Sequence, residues 1–268
     1  METWRWIDTG FETGAMQMAI DWVLLDEVQR TGIPVMRIYR WDPFCISMGH
    51  NQALSHIDLD RCRAGNIHVV RRPTGGRAVF HAREVTYSVM VPGSSPYARE
   101  SVQEFYMRVS RGLANGMQAL GVPAALEKRG LDLRKHYKKS ALAASCFSAA
   151  ARYEVVVEGR KLIGSAQRRI RGGLLQHGSI LTGDEHLNLP WYLNSGSDDE
   201  RREMRRQIDE LTISAGSYLG RDVSYQEAGG AVQQGVAREM GIEFVHQPLS
   251  SDEGGKAAEL LPEFSVQA

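Results

Sequence analysis

The stretch GRKLIGSAQRRIRGGLLQHGSIL, residues 159–181, alternates apolar with basic residues and places glycines at 164, 172, 173 and 178. The alternation predicts consecutive strands at 161–168 and 174–181, joined by the turn Arg171-Gly172-Gly173. A further strand at 153–157 leads in through Glu158-Gly159. Lys161 then stands in a strand beside Leu162 and Ile163, and two readings of it stay open. Its stem can lie along apolar surface with the ammonium in solvent. Alternatively, a partly desolvated ammonium polarises a carbonyl or lowers a neighbour's pKa. Ser165 and Ala166 are small, which suits a backbone lining a narrow pocket. His177, between Gln176 and Gly178, also reads as a hydrogen-bonded core histidine.

Outward from this stretch the chain mixes strands and helices. WRWID at the start reads as a strand. Residues 13–30 place Ala15, Met16, Ala19, Trp22, Val23 and Val28 at helical spacing, with Gly32 as a stop. PVMRIYRW and FCISMG read as strands around Asp42 and Pro43, and a short helix at 58–64 precedes the strands NIHVV and EVTYSVMV. Residues 101–121 form an amphipathic helix with Val102, Phe105, Val109, Leu113, Met117 and Leu120 on one face. Residues 127–144 are basic and weakly periodic, as expected of a loop. Beyond Pro190 the chain turns helical, and Ser224 with Glu227 forms a capping-box pattern for a helix to about Met240. There are no internal repeats. The mixed order without strict βαβ alternation gives the fold class α+β, with mixed and antiparallel sheets flanked by helices. One catalytic domain over 1–248 is expected, followed by a polar tail at 249–268 that is partly disordered.

A chain of 268 residues fits one large domain or two small ones. Its 32 basic and 32 acidic residues cancel, which gives no whole-molecule attraction to nucleic acid or membrane. The charge is unevenly spread, because residues 61–171 hold 21 Lys and Arg against 7 Asp and Glu. Internal ion pairing between segments and a face for an acidic partner or phosphate both account for that. Cys45, Cys62 and Cys146 lack metal-ligand spacing, and an odd number argues against a disulfide framework. No apolar run reaches spanning length and the N-terminus lacks a signal pattern, so a cytoplasmic protein is expected.

RRPTGGRAVFH, residues 71–81, follows the strand HVV. Adjacent glycines let a backbone approach a ligand closely, and Arg71, Arg72 and Arg77 supply forks suited to phosphate. An ordinary hairpin with solvated arginines is the other reading. The block is not a Walker A loop, since no Gly-Lys-Ser/Thr follows. Cys45 reads as a small buried hydrophobe, and Cys62, in DLDRCRAG, as half-exposed and inert. Cys146 differs: it lies among small residues at the end of the basic segment, where access and nearby cations favour a thiolate. His50, His56, His68 and His81 are scattered, and no carboxylate pair or histidine cluster indicates a metal site.

In order, RRPTGGRAVFH, GRKLIGSAQRR and LQHGSIL resemble the biotin/lipoyl protein ligase family, in its lipoate-ligase and octanoyltransferase branch. The resemblance also takes in WRWIDTG, IYRWDPFCISMGHNQ and EVTYSVMV, and covers roughly residues 2–245. It implies the biotin/lipoate protein ligase-like catalytic fold. It further implies substrate binding by Arg71, Arg72, Thr74, Gly75, Gly76, Arg77 and His81 in the first block. In the second block it implies the same of Gly164, Ser165, Ala166 and His177.

That branch holds two reactions. Lipoate ligases use ATP to activate free lipoate. Octanoyltransferases take octanoyl from acyl carrier protein through a thioester on a cysteine shortly before the G-R-K block, and Cys146, fifteen residues before Lys161, falls there. The resemblance thus implies Cys146 and Lys161 as the catalytic pair. Ligases commonly read RRxSGGG, whereas Arg77 here replaces the third glycine, and the chain has no length for the C-terminal accessory domain of many bacterial ligases. An amidotransferase branch resembles the sequence less well around GSAQ and LQHGSI. The implied activity is octanoyl transfer from octanoylated acyl carrier protein to the acceptor lysine of lipoyl-domain proteins. Such acceptors are the glycine-cleavage H protein and 2-oxoacid dehydrogenase subunits. No cofactor is implied, and an ATP-dependent lipoate ligase is the alternative.

Overall fold

The computed structural model describes residues 1–127, 154–194 and 196–266. Strand β1 (Glu2–Glu12) opens the chain, and Thr13 caps α1 (Gly14–Thr31) by accepting from the Met16 amide at 3.4 Å. Then come β2 (Val35–Trp41), β3 (Cys45–Met48), α2 (Leu59–Ala64), β4 (His68–Arg71), β5 (Val79–His81) and β6 (Glu84–Val91). A short α3 (Pro96–Arg99) precedes α4 (Val102–Ala119), whose Ser101–Glu104 capping box is fully made, and β7 (Ala125–Leu126). The second half runs β8 (Val155–Val157), β9 (Arg160–Ile170), β10 (Gly173–Leu181), α5 (Asp198–Leu211), α6 (Ala215–Leu219) and α7 (Tyr225–Met240). It ends with β11 (Ile242–His246), α8 (Ser251–Glu259) and α9 (Leu261–Phe264).

The strands form one eight-stranded sheet, in the order β11-β1-β2-β6-β10-β9-β8-β7, and one three-stranded sheet, β4-β3-β5. In the large sheet β11, β1 and β2 are mutually parallel and the rest are antiparallel, so the α+β class with mixed sheets is what the chain adopts. The turn through Arg171 and Gly172, both with φ above +50°, pairs β9 with β10 as the alternation predicts.

All eight residues of β6 are buried, so each sheet face is covered. Side chains of a strand alternate between faces. Val85, Tyr87, Val89 and Val91 join the core that α4 and α7 cover, with Phe105, Val109, Leu113, Val232 and Val236. The two helices approach closely because a Cβ on Gly116 or Gly235 would strike the opposite backbone. Met90, on the other face, packs with Leu24, Val28 and Leu175 under α1. The remaining residues of that inner face, Glu84, Thr86 and Ser88, are polar and buried.

Two expectations need correction. Cys62 is buried, because the apolar side of α2 packs on Ile57, Ile67 and Leu189, and burial pushes its thiol up to about 12. The Glu227 carboxylate binds Arg221, at 2.6 and 3.0 Å, so the Ser224 capping box is only half made. Beyond residue 248 the chain forms α8 and α9, where Ala257 and Phe264 join the core under α1 and Phe264 sits edge-on to Trp22. Arg5 meets the Glu253 carboxylate with both terminal nitrogens, at 2.5 and 2.8 Å, in a buried pair. The 127–144 loop expectation and Cys146 fall almost wholly outside the described residues.

Breaking a buried ion pair leaves an uncompensated charge and costs about 3 kcal/mol. Glu253→Ala should therefore lower unfolding free energy in urea by about that amount. It should also open the tail to limited proteolysis; a tail cut equally fast in both proteins would show that the pair does not hold it.

Candidate active site

The register of β2, β6, β10 and β9 sets the inner-face residues in rows. One row is Arg37, Ser88, His177 and Ala166; the next is Tyr39, Thr86, Ser179 and Gly164. Large polar groups on the first strands thus give way to small ones on β9, which leaves room. A cavity of about 510 Å³ occupies it, walled by the second row, by His177 and Ala166 of the first, and by Ser47, Val79 and His81 of the small sheet. That volume lies within the usual range for small-ligand sites.

The loop after β4 closes one side. Arg72 is buried and reaches inward, donating to the Ser47 carbonyl (2.8 Å) and to the carbonyls of Gly75 and Arg77 (both 2.8 Å). It thereby fixes the curl that sets Gly75, Gly76 and Arg77 against the cavity. Gly76 has φ +98°, and its carbonyl lies so close to Gly49 that a Cβ there would overlap it. Arg71 does not line the cavity. Its Nη1 is spent on the carbonyls of Gly49, His50 and Gln52, at 3.0, 3.1 and 2.7 Å, so it braces the neighbouring loop. Thr74 likewise lies behind the wall, its Oγ1 2.6 Å from His177 Nε2.

Two buried networks meet under the cavity. In the first, Arg37 on β2 binds Asp21 of α1 at 2.6 Å, and Ser88 donates to the same carboxylate at 2.9 Å. His177 Nδ1 lies 3.7 Å from Asp21. Burial alone would raise the Asp21 carboxyl, but the Arg37 and His177 charges outweigh it and hold it below the ordinary carboxylate range. Burial also depresses His177, more than Asp21 restores it. In the second, Glu84 accepts from Ser179 at 2.5 Å and from Thr86, and stands 2.8 Å from His81 Nδ1. His81 Nε2 is 2.7 Å from Ser47 Oγ, and Trp41 stacks on the imidazole with centroids 4.2 Å apart. Burial would raise Glu84 too, yet these partners hold it down.

Lys161 is buried, and its Nζ donates to Glu154, also buried; both line the cavity. The solvent-directed reading of this lysine is therefore wrong. Gly164 makes the space for it, since a Cβ there would come within 2.7 Å of Lys161 Cε. Ser165 lines the cavity as well and meets Tyr87 Oη at 2.7 Å.

The structure thus gathers Lys161, Arg72, Gly75, Gly76, Arg77 and His81 around one cavity, with Gly164, Ser165, Ala166 and His177 from the second block. Sequence reasoning missed Ser47, Glu84 and Glu154. The polar set at alternate positions of EVTYSVMV was the available signal for Glu84. Among the described residues, no group of three or more His, Cys, Asp or Glu is placed to hold a metal ion.

His177 and His186 are both depressed by burial below the ordinary 6.5, and Glu84 and Asp21 lie below 4.5 and 3.8. In each case the unfolded chain binds its proton more readily, so stability rises with pH. The histidine contribution is whole above 6.5 and is lost as pH falls from there through the folded values; the carboxylates add a second loss below 4.5. The Tm should accordingly fall between pH 7.5 and 5.5. Replacing His186, which bonds Thr212 at 2.8 Å outside the cavity, by Gln should make that drop shallower. A Tm that is flat or rises on acidification would contradict the assignment.

Residues 13–237 match the family described as the lipoyl protein ligase A/B catalytic domain. The chain is 39% identical to an octanoyltransferase LipM from Kyrpidia tusciae, over 98% of this chain and 97% of that one. It is 40% identical to an octanoyltransferase LipM from Symbiobacterium thermophilum, over 97% and 95%. Among solved structures it is similar in fold to an archaeal bipartite lipoate protein ligase from Thermoplasma acidophilum. There the TM-score is 0.78 and the identity 20%, over 98% of this chain and 93% of that one. A lipoate-protein ligase A bound with ATP gives a TM-score of 0.77 at 20% identity, over 98% and 95%. Family, near-complete coverage and shared fold agree: the chain belongs to the lipoyl protein ligase A/B family, in its octanoyltransferase branch, and is an acyltransferase.

Proposed function

We propose that the chain moves an octanoyl group from octanoylated acyl carrier protein to the acceptor lysine of a lipoyl-domain protein, through a thioester on Cys146. The observation that carries this reading is the buried Lys161–Glu154 pair on the cavity wall. A lone buried ammonium tends to lose its proton, and a carboxylate in contact with it opposes that loss. Glu154 thus keeps a cation available where an acyl group binds. Cys146 precedes Glu154 by eight residues.

The steps follow. The Cys146 thiolate attacks the donor thioester, forming one C–S bond as the carrier thiol leaves. Exchange between thioesters is near thermoneutral, which is why no nucleotide is needed. The acceptor amine then attacks, the Cys146 C–S bond breaks, and amide formation drives the sequence forward. Lys161 stabilises the thiolate by opposite charge, donates to it as it leaves in the second step, and takes up the proton the acceptor amine gives up. Six methylenes of an octanoyl chain, at about 0.8 kcal/mol each, would supply roughly 5 kcal/mol on burial. Ala166 leaves the sheet face bare enough for that chain, beside the space that Gly164 gives Lys161.

Octanoyl transfer from carrier protein to a purified lipoyl domain should proceed without ATP. Cys146→Ser should abolish it, and Lys161→Ala should lower kcat/KM at least 100-fold, the scale of a lost proton-transfer group. Acceptor modification seen only with ATP and free lipoate, with Cys146→Ser unaffected, would instead establish a ligase.

A further inference from the structure

Ser47, His81 and Glu84 stand in the order and spacing of a hydrolase triad. His81 Nε2 is 2.7 Å from Ser47 Oγ, and His81 Nδ1 is 2.8 Å from Glu84 Oε1. The hydrogen-bond roles are consistent in one direction. Ionised Glu84 can only accept, so the proton of a neutral imidazole sits on Nδ1 and Nε2 is left to accept from the Ser47 hydroxyl. Arg72 Nη1 donates to the same Ser47 Oγ at 3.2 Å, placing a positive charge where an alkoxide would develop. Glu84 is kept in place by Ser179 and Thr86, and the imidazole by the stacked Trp41. These contacts remove the freedom that would blur the relay.

The cluster also has access to substrate. Ser47 and His81 line the same cavity as Lys161, although Ser47 sits on β3 of the small sheet and Lys161 on β9 of the large one. The cavity therefore carries chemistry on two walls, and the cysteine route uses only one. A buried serine that merely satisfied a histidine would need neither the carboxylate behind the ring nor the guanidinium beside the hydroxyl.

The geometry points to Ser47 as a second acyl-accepting nucleophile, with His81 as its base and Glu84 as the group that orients His81, giving the chain a medium-chain esterase and thioesterase activity. Ser47 Oγ bonds to the acyl carbon as His81 Nε2 takes its proton. The ester or thioester bond breaks, and the leaving oxygen or sulfur takes that proton from His81. Water then gives a proton to His81 and adds to the acyl carbon. The Ser47 ester breaks, the proton returns to Ser47, and the net products are the carboxylic acid and the alcohol or thiol. The inference rests on the octanoyltransferase reading only for the length of the acyl chain.

The test uses the full chain carrying Cys146→Ala, so that no thiol at that position contributes. A straight-chain octyl fluorophosphonate should form a covalent bond to Ser47, with loss of fluoride, at a peptide located by mass spectrometry. Hydrolysis of p-nitrophenyl octanoate should fall at least 100-fold when Ser47→Ala is added. The Glu84→Gln chain should label more slowly while keeping the Tm of a folded protein. An unlabelled Ser47, or ester hydrolysis that Ser47→Ala leaves unchanged, would overturn the inference. Because ester hydrolysis and labelling are read without Cys146, carrier protein or acceptor, failure here is separate from failure of the transfer reaction.

Discussion

Arg37 has no exposed surface, and a guanidinium in that position must be answered from every side. Asp21 and the Gln17 carbonyl of α1 answer it, with Thr9 of β1 at 3.0 Å. This pins α1 and β1 to the middle of the large sheet. The same Asp21 carboxylate faces His177, and His177 reaches Thr74, so a chain of buried polar contacts runs from Arg37 to the glycine loop. A buried pair of this kind contributes little net stability against an apolar substitute, while losing one member is costly. Its consequence is geometric: helix, sheet and loop can pack in only one relation, and the cavity lies where they meet.

The cavity therefore depends on contrasts within single strands. β6 gives its odd-numbered residues to the core under α4 and α7, while Glu84, Thr86 and Ser88 on its other face join the networks beneath the cavity. β9 contributes space instead of side chains, and Gly164 is the position where that space is used by Lys161. A buried cation paired with Glu154 on one wall faces a serine and a histidine on the other, with a carboxylate behind the imidazole. This arrangement suits an enzyme that holds an acyl group between two partners.

Much of this was legible in the sequence, for reasons that differ by element. The β9–β10 pair follows from strict alternation and a Gly-Gly turn, which are local signals. Lys161 stood out because a cation in an apolar strand conflicts with its neighbours. Ser250 and Glu253, whose capping box is complete, are a local signal for α8, but the burial of Glu253 depends on Arg5, 248 residues away. Arg71 and Arg72 show the limit. Arg71 ends β4 and Arg72 begins the loop, and only the folded loop decides that Arg72 faces the cavity while Arg71 braces residues 49–52. Asp21 gave no signal, because its partners come from β2, β6 and β10. Membership of the octanoyltransferase branch was carried by the two motif blocks, which the family match spans.

The central claim is that acyl transfer passes through a cysteine. Incubating the protein with octanoylated acyl carrier protein, without any acceptor, and mapping the product by intact mass and peptide sequencing tests it directly. The account predicts one octanoyl group on Cys146 that is released when a lipoyl domain is added. A protein that modifies the lipoyl domain while its own Cys146 never carries the acyl group would contradict it.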